Sequence, residues 1–223
     1  MNGVLGAILP LAIAVTISPI PIIAEILLLF NKKPVPNAAA YLAGFILGVG
    51  GVLGILVAVA GALNLSAGSG PSKGAGIVQL VLGLLLLAAS VRSFRGRPKQ
   101  GEAASTPKWM DGIAGFAPGK SFAVGAAIGA ANPKNLIVGL AAAVTIASAS
   151  LPAGEQAGAV VVYVVIAVLG VAAPLAVMLA LKGRAQPILD TWKAWLGQNN
   201  ATVMAVLFLV FAAVLIGKGI AAL

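Results

Sequence analysis

Six apolar stretches dominate the chain, and short polar stretches separate them. A helix needs roughly 20 apolar residues to cross about 30 Å of hydrocarbon. The apolar stretches cover approximately residues 4–30, 38–63, 74–91, 121–149, 158–181 and 202–223. The pattern therefore predicts an all-α, polytopic membrane protein with six transmembrane helices.

The first and fourth apolar stretches share an interruption. Ser18-Pro19-Ile20-Pro21 interrupts the first, and Asn132-Pro133-Lys134-Asn135 interrupts the fourth, with Pro19 and Pro133 separated by 114 residues. Two groups of three spans follow one another, and because three is odd, the second group enters the membrane the opposite way round. This is the sequence signature of inverted three-helix repeats, here with broken helices 1 and 4.

The polar stretches divide the chain into three parts. These are a first three-span repeat, a cytoplasmic loop with a short interfacial helix, and a second three-span repeat, at residues 1–93, 94–119 and 120–223. In the loop, Thr106 as N-cap and Pro107 as first residue predict a short helix, whose Trp109, Met110 and Ile113 face lipid or protein.

A second polar segment, residues 184–200, is too polar to span the membrane. Its Ile188, Trp192, Trp195 and Leu196 recur at helical spacing. This predicts an interfacial helix on the cytoplasmic leaflet, with tryptophan at headgroup depth.

Basic residues give the orientation. With six spans, eleven basic residues lie in loops on one side, whereas the other side holds only Lys73 and Lys218. Basic loops stay cytoplasmic, so we expect a plasma-membrane protein with both termini outside the cytoplasm. The net charge of +9 therefore indicates topology, and nucleic acid is not an expected partner.

The composition argues against an enzyme. The chain has no Cys, no His and only five acidic residues. It therefore lacks the commonest general base and every thiolate or imidazole metal ligand. We predict no catalytic residue, no metal site and no cofactor.

Two charges lie within the apolar stretches, Glu25 and Lys134. A charge at the bilayer centre costs roughly 2.5–3.5 kcal/mol on insertion scales. Inverted symmetry brings the two breaks together, so these residues could pair. Glu25 is then either a titrating or substrate-binding carboxyl, part of a structural ion pair, or a residue near the headgroups.

Neutral polar residues flank the same breaks. Thr16, Ser18, Asn132 and Asn135 can satisfy the backbone groups that the prolines leave open, or offer oxygens to a cation or a hydroxylated cargo. The complete candidate substrate- or ion-binding set is Thr16, Ser18, Pro19, Pro21, Glu25, Asn132, Pro133, Lys134 and Asn135.

Small residues predict close helix contacts. Glycines recur at roughly one-turn spacing in the second span and as a small-xxx-small pair in the fourth. They are Gly44, Gly48, Gly51 and Gly54, and Gly125 and Gly129.

Several motifs together resemble one family. Ile17-Ser18-Pro19-Ile20-Pro21-Ile22-Ile23-Ala24-Glu25, Pro107-Lys108-Trp109-Met110-Asp111, Phe116-Ala117-Pro118-Gly119-Lys120 and Asn132-Pro133-Lys134-Asn135-Leu136 are similar to the glycolipid-addressing (GAP) or sulfolipid-1-addressing (Sap) proteins of mycobacteria and actinobacteria. The wider resemblance is to the lysine-exporter (LysE-type) superfamily. The resemblance to this superfamily implies six transmembrane helices in two related halves. It does not assign a catalytic role to any residue.

The resemblance implies an integral membrane exporter for a cell-envelope glycolipid or a small solute. No Gly-x-x-x-x-Gly-Lys-Ser/Thr nucleotide motif occurs, so we expect ion-gradient coupling. A large glycolipid does not fit wholly inside six helices, so its head would follow a groove while its tails stay among membrane lipids. A homodimer could supply that groove. The alternative is an accessory protein that docks with a lipid-biosynthesis membrane protein or a larger transporter.

Overall fold

The computed structural model describes residues 1–63, 73–98 and 108–223, and the described chain contains helices and no β-strand. Thr106 and Pro107, which the sequence predicts to begin a loop helix, lie outside these residues. The α-helices are α1 Asn2–Thr16, α2 Pro19–Leu29, α3 Pro34–Ala62, α4 Lys73–Arg95, α5 Pro118–Ala131, α6 Pro133–Ala147, α7 Ala153–Leu181 and α8 Ala185–Ala221. Two 3₁₀ helices, Lys108–Gly115 and Lys182–Arg184, complete the described secondary structure.

The two predicted breaks are present. The chain bends by 49° between α1 and α2 and by 58° between α5 and α6. Pro19 and Pro133 are the first residues of α2 and α6, where a missing N–H costs least. Neither proline can donate to the carbonyl four residues earlier, so the preceding helix ends there.

Length and composition alone identify fewer spans than the sequence pattern predicts. Three described stretches could cross a membrane, and five could if each bent pair is one span. Because only the Lys182–Arg184 turn separates α7 from α8, these two helices count together as one stretch. The outer surfaces are strongly apolar: Leu47, Ile55 and Val161 are about 60% exposed (59, 65 and 60%), as lipid-facing residues are.

Glycines allow α3 and α5 to lie side by side and parallel. A Cβ at Gly44 would overlap the carbonyl oxygen of Phe122, and one at Gly125 would overlap that of Tyr41. Gly48 and Gly129 continue the same contact. The predicted role of these four glycines is thus confirmed, but Gly51 and Gly54 face open space.

The remaining long contacts also join the two halves of the chain. α1 runs parallel to α7, because the Met1 ammonium at its start lies 3.8 Å from the Glu155 carboxylate and the Thr16 hydroxyl at its end donates to the carbonyl of Ile166. α4 runs antiparallel to α8, because Gly76 near its start lies against Ala222 and the Ser90 hydroxyl near its end donates to the carbonyl of Ala205 at 2.7 Å. Each of α1, α3 and α4 therefore packs chiefly on a helix of the second half.

The two predicted interfacial elements differ from the sequence expectation. Residues 184–200 do not form a separate helix, because α8 continues from Ala185 to Ala221 with no proline after Pro187 to end it. At 37 residues, α8 is roughly 55 Å long, more than a bilayer core needs. In the loop the helix is 3₁₀, and of the two predicted environments, lipid or protein, Met110 and Ile113 have the second, because both are buried in the protein core.

Candidate functional site

The two breaks border one cavity of about 420 Å³ between α2, α4, α6 and α8. Four residues of the predicted set line it: Ser18, Asn132, Pro133 and Lys134. Ser18 and Asn132 are the N-caps of α2 and α6, so the positive ends of both helices are directed at this region. The chain thus brings two distant sequence motifs to one place.

Lys134 is buried in this cavity wall, with only 4% of its surface exposed. Its ammonium donates to the carbonyl of Ala14 at 2.7 Å. Ala14 lies in the last turn of α1, where carbonyls lack helical donors, so Lys134 joins the second break to the first. No described carboxylate lies within ion-pair distance of it.

Glu25 does not pair with Lys134. Its carboxyl is fully buried, and neither oxygen has a hydrogen-bond partner. The Tyr41 hydroxyl donates to the carbonyl of Pro21 at 3.2 Å and so joins α3 to the first turn of α2. Asn37 lies near the end of α2 instead, because the side-chain amides of Asn31 and Asn37 both donate to the carbonyl of Phe116.

Asn37 is buried as well, and its amide is only half satisfied. Its Nδ2 donates to the carbonyl of Phe116 at 3.0 Å, whereas its Oδ1 has no partner. Glu25 on α2 and Asn37 on α3 thus carry three buried acceptor oxygens that have no donor. A proton on the Glu25 carboxyl removes the charge that burial without a partner makes costly.

Other members of the predicted set face away from the cavity. Thr16 bonds to α7, as described above, and Pro19 and Pro21 are buried in α2. Asn135 donates to the carbonyl of Gly129 at 3.4 Å, which is the carbonyl that Pro133 leaves without a helical donor. Asn135 thus satisfies a backbone group at the second break, whereas Thr16 joins the end of α1 to the middle of α7.

A second, more open groove of about 780 Å³ adjoins the cavity. The two share Ile20, Asn132 and Pro133 as lining residues. The groove is otherwise mainly apolar, with Lys120 at its wall and the Lys120 ammonium 4.2 Å from the centre of the Phe116 ring. A cavity lined by Lys134 and a groove lined by Lys120 therefore meet at the second break.

Sequence reasoning missed three polar residues of the cavity. Arg92 and Ser93 come from the end of α4, and Asn200 comes from α8. From the sequence, Arg92 is only one of the basic residues that indicate a cytoplasmic loop, and Asn200 belongs to the predicted interfacial helix. Polar residues that cluster at the end of an apolar stretch could have indicated a site there. The sequence does not show, however, which other helix such a cluster faces.

Comparison with known proteins gives one match. The family model described as "Sap, sulfolipid-1-addressing protein" matches residues 8–221, which is nearly the whole chain. No curated protein and no solved structure matches the chain.

Proposed function

Because the chain belongs to the Sap (sulfolipid-1-addressing protein) family, we propose that it is a secondary active exporter in the plasma membrane. Its cargo is a cell-envelope glycolipid or a small solute. The observation that carries this proposal is the single cavity bordered by both proline breaks. Broken helices that meet at one site are the usual construction of a transporter binding site.

Helix directions support six spans. α7 runs parallel to α1, whereas α8 runs antiparallel to α2, because Lys193 of α8 lies near Phe30 and Phe208 shares the cavity with Ser18. α7 and α8 thus cross in opposite directions, and each bent pair makes one crossing. Both termini then lie outside the cytoplasm, as the basic residues indicate.

The packing also supports inverted repeats. α3 packs on α5, and α7 packs on α1. The second span of the first repeat, α3, therefore contacts α5, the first segment of the broken helix in the second repeat. Likewise, the second span of the second repeat, α7, contacts α1, the first segment of the broken helix in the first repeat. α4 and α8, the third spans, contact each other. This reciprocal arrangement is what a two-fold relation between the halves produces.

Glu25 is the coupling carboxyl in this proposal. An ionised carboxylate buried without a partner is very costly, so the enclosed form carries the proton. When the site opens, water stabilises the charge and the proton leaves. The gradient is then coupled to a conformational change around α2, without requiring Glu25 to touch the cargo.

The test is transport in proteoliposomes with an imposed pH gradient. The probes are NBD-labelled phosphatidylglycerol, followed by dithionite quenching, and radiolabelled lysine. We expect gradient-dependent movement of one probe in the wild type and in Glu155→Gln, an exposed matched control. Glu25→Gln should fold but lose coupling. Unchanged coupling in Glu25→Gln would refute the role of this carboxyl.

A second candidate function is an accessory protein that docks with a lipid-biosynthesis membrane protein. The observation in its favour is the exposed apolar face of α8, where Ile188, Trp192 and Trp195 are 38, 37 and 57% exposed. A docking protein should tolerate Glu25→Gln but fail when the exposed Trp192 and Trp195 of this face are replaced by glutamine. Homodimer formation stays a prediction.

A further inference from the structure

We infer that a second, much smaller cavity binds one monovalent cation of the size of Na⁺. This small cavity lies between α1, α3, α5, α6 and α7, and its volume is about 10 Å³, which is room for a single water-sized particle. Lys134 lines the larger cavity described above and not this one. An ion bound here is not a cargo, so the site goes beyond the proposed export function and does not depend on it.

Two buried side chains border the small cavity with an oxygen that has no partner among the described residues. They are Tyr163, 1% exposed, and Asn135, 6% exposed. The Asn135 Nδ2 donates to the carbonyl of Gly129 at 3.4 Å. Because a carbonyl can only accept, this contact sets the orientation of the amide and leaves Oδ1 as a free acceptor. α6 and α7 thus each bring one unpartnered oxygen to the same space.

The backbone at the two breaks adds further acceptors. Val15 and Gly129 also line the small cavity, and they lie four residues before Pro19 and Pro133. Their carbonyls are therefore the two that the prolines, which lack an N–H, cannot satisfy. Both residues lie in the last turn of a helix, α1 or α5, where the helix dipole places negative partial charge. Each break thus leaves a carbonyl without its helical donor at this cavity.

The chemistry of these groups favours a cation over a water molecule. All of them accept, and the only proton among them is that of the Tyr163 hydroxyl. A water donates to only two acceptors, whereas a cation stabilises every oxygen around it and is also attracted by the negative ends of α1 and α5. Freed carbonyls and half-helix ends are common ligands of Na⁺ in transporters with broken helices. The small volume favours Na⁺ over the larger K⁺.

Lys134 shows that this end of α1 can stabilise a buried positive charge. Its ammonium donates at 2.7 Å to the carbonyl of Ala14, the residue before Val15. Successive residues of a helix are turned by about 100°, so the carbonyls of Ala14 and Val15 lie on different sides of α1. The two positive charges still repel each other, so Lys134 should weaken binding of the ion without preventing it.

Thermal unfolding of the purified full chain in dodecyl maltoside tests the inference. NaCl, KCl and choline chloride are compared at equal ionic strength, and binding of radioactive Na⁺ is measured on the same sample by scintillation proximity. We expect a saturable rise of the midpoint with Na⁺, about 3–6 °C at ten times the Kd, and a smaller rise with K⁺. Equal midpoints in the three salts would overturn the inference.

Two tyrosine variants form a matched pair, because both hydroxyls are buried but only that of Tyr163 borders the small cavity. Tyr41→Phe loses the hydrogen bond to the carbonyl of Pro21, so it should lower the midpoint in every salt and keep the increment that Na⁺ gives. Tyr163→Phe should keep the midpoint in choline chloride, lose most of the Na⁺ increment and bind Na⁺ at least about tenfold more weakly. An undiminished increment in Tyr163→Phe would place the ion elsewhere and refute this site.

A bound water is separated from a bound ion by the same measurements. If the small cavity holds only water, Tyr163→Phe should lower the midpoint equally in NaCl and choline chloride, and this result overturns the cation site. Lys134→Met removes the neighbouring charge and should tighten Na⁺ binding severalfold, whereas weaker binding would contradict the proposed location. Because no gradient and no cargo are present, Na⁺ binding without transport refutes only the exporter, and transport without Na⁺ binding refutes only this site.

Discussion

The parallel contact between α3 and α5 gives the sharpest stability prediction, the comparison of Gly48→Ala with Gly51→Ala. A Cβ at Gly48 would overlap the carbonyl oxygen of Ala126 and lie 2.9 Å from the nitrogen of Ala130. Both are backbone atoms that cannot rotate away, so the helices must separate. Overpacking of this kind costs about 1–3 kcal/mol. Gly51 has no neighbour within 4 Å, so alanine there meets no other helix. Alanine should then stabilise the protein by about 0.5–1 kcal/mol, because it favours the helical conformation more than glycine does.

The two substitutions should thus change the free energy of unfolding in opposite directions. Thermal unfolding of the purified variants in dodecyl maltoside measures this, and each kcal/mol shifts the midpoint by about 2–4 °C at this chain length. We expect Gly48→Ala to lower the midpoint and Gly51→Ala to raise it slightly. Shifts of the same sign and size in both variants would refute the close contact between α3 and α5.

Three further substitutions test side chains at the breaks and in the helix pairs. Lys134→Met should change the free energy of unfolding by less than about 1.5 kcal/mol. The variant loses a charge-assisted hydrogen bond worth about 1.5–3 kcal/mol, but it also no longer has to bury a cation, and the two effects offset each other. A loss above about 3 kcal/mol in denaturant titration would contradict this. Ser90→Ala should cost about 0.6–1.7 kcal/mol in the same titration, and Ser93→Ala clearly less. Thr16→Val should lower the free energy of unfolding by a similar amount. It should leave transport in proteoliposomes unchanged, since Thr16 does not line the cavity. Loss of transport at normal stability would place Thr16 in the site.

The breaks were predictable from the sequence because their cause is local. Proline removes an N–H and clashes with the preceding turn wherever it lies in a helix, so Pro19 and Pro133 mark the bends without knowledge of the fold. The matched motifs also indicated that the two bends lie near each other. Ser18, Asn132 and Lys134 meet at one cavity accordingly.

The direction of each side chain was not predictable in the same way. A helix that is apolar all round has no hydrophobic face that marks its partner, so Gly48 and Gly51 look alike in the sequence. They differ because α5 ends at Ala131, and the chain then turns by 58°. Likewise, their similar depth indicated that Glu25 and Lys134 could pair, but Lys134 donates to the carbonyl of Ala14 and the Glu25 carboxyl has no partner.

The interlocked helix pairs have a consequence for biogenesis. Three helices of the first half pack chiefly on helices that are synthesised later. The pairs are α1 with α7, α3 with α5, and α4 with α8. At about 5–20 residues per second, the roughly 70 residues between the ends of α3 and α5 take several seconds to make. During that interval the glycine surface of α3 is exposed to lipid or to insertion factors. Neither half is a folding unit, so two separately made halves should become stable only when they meet in one membrane.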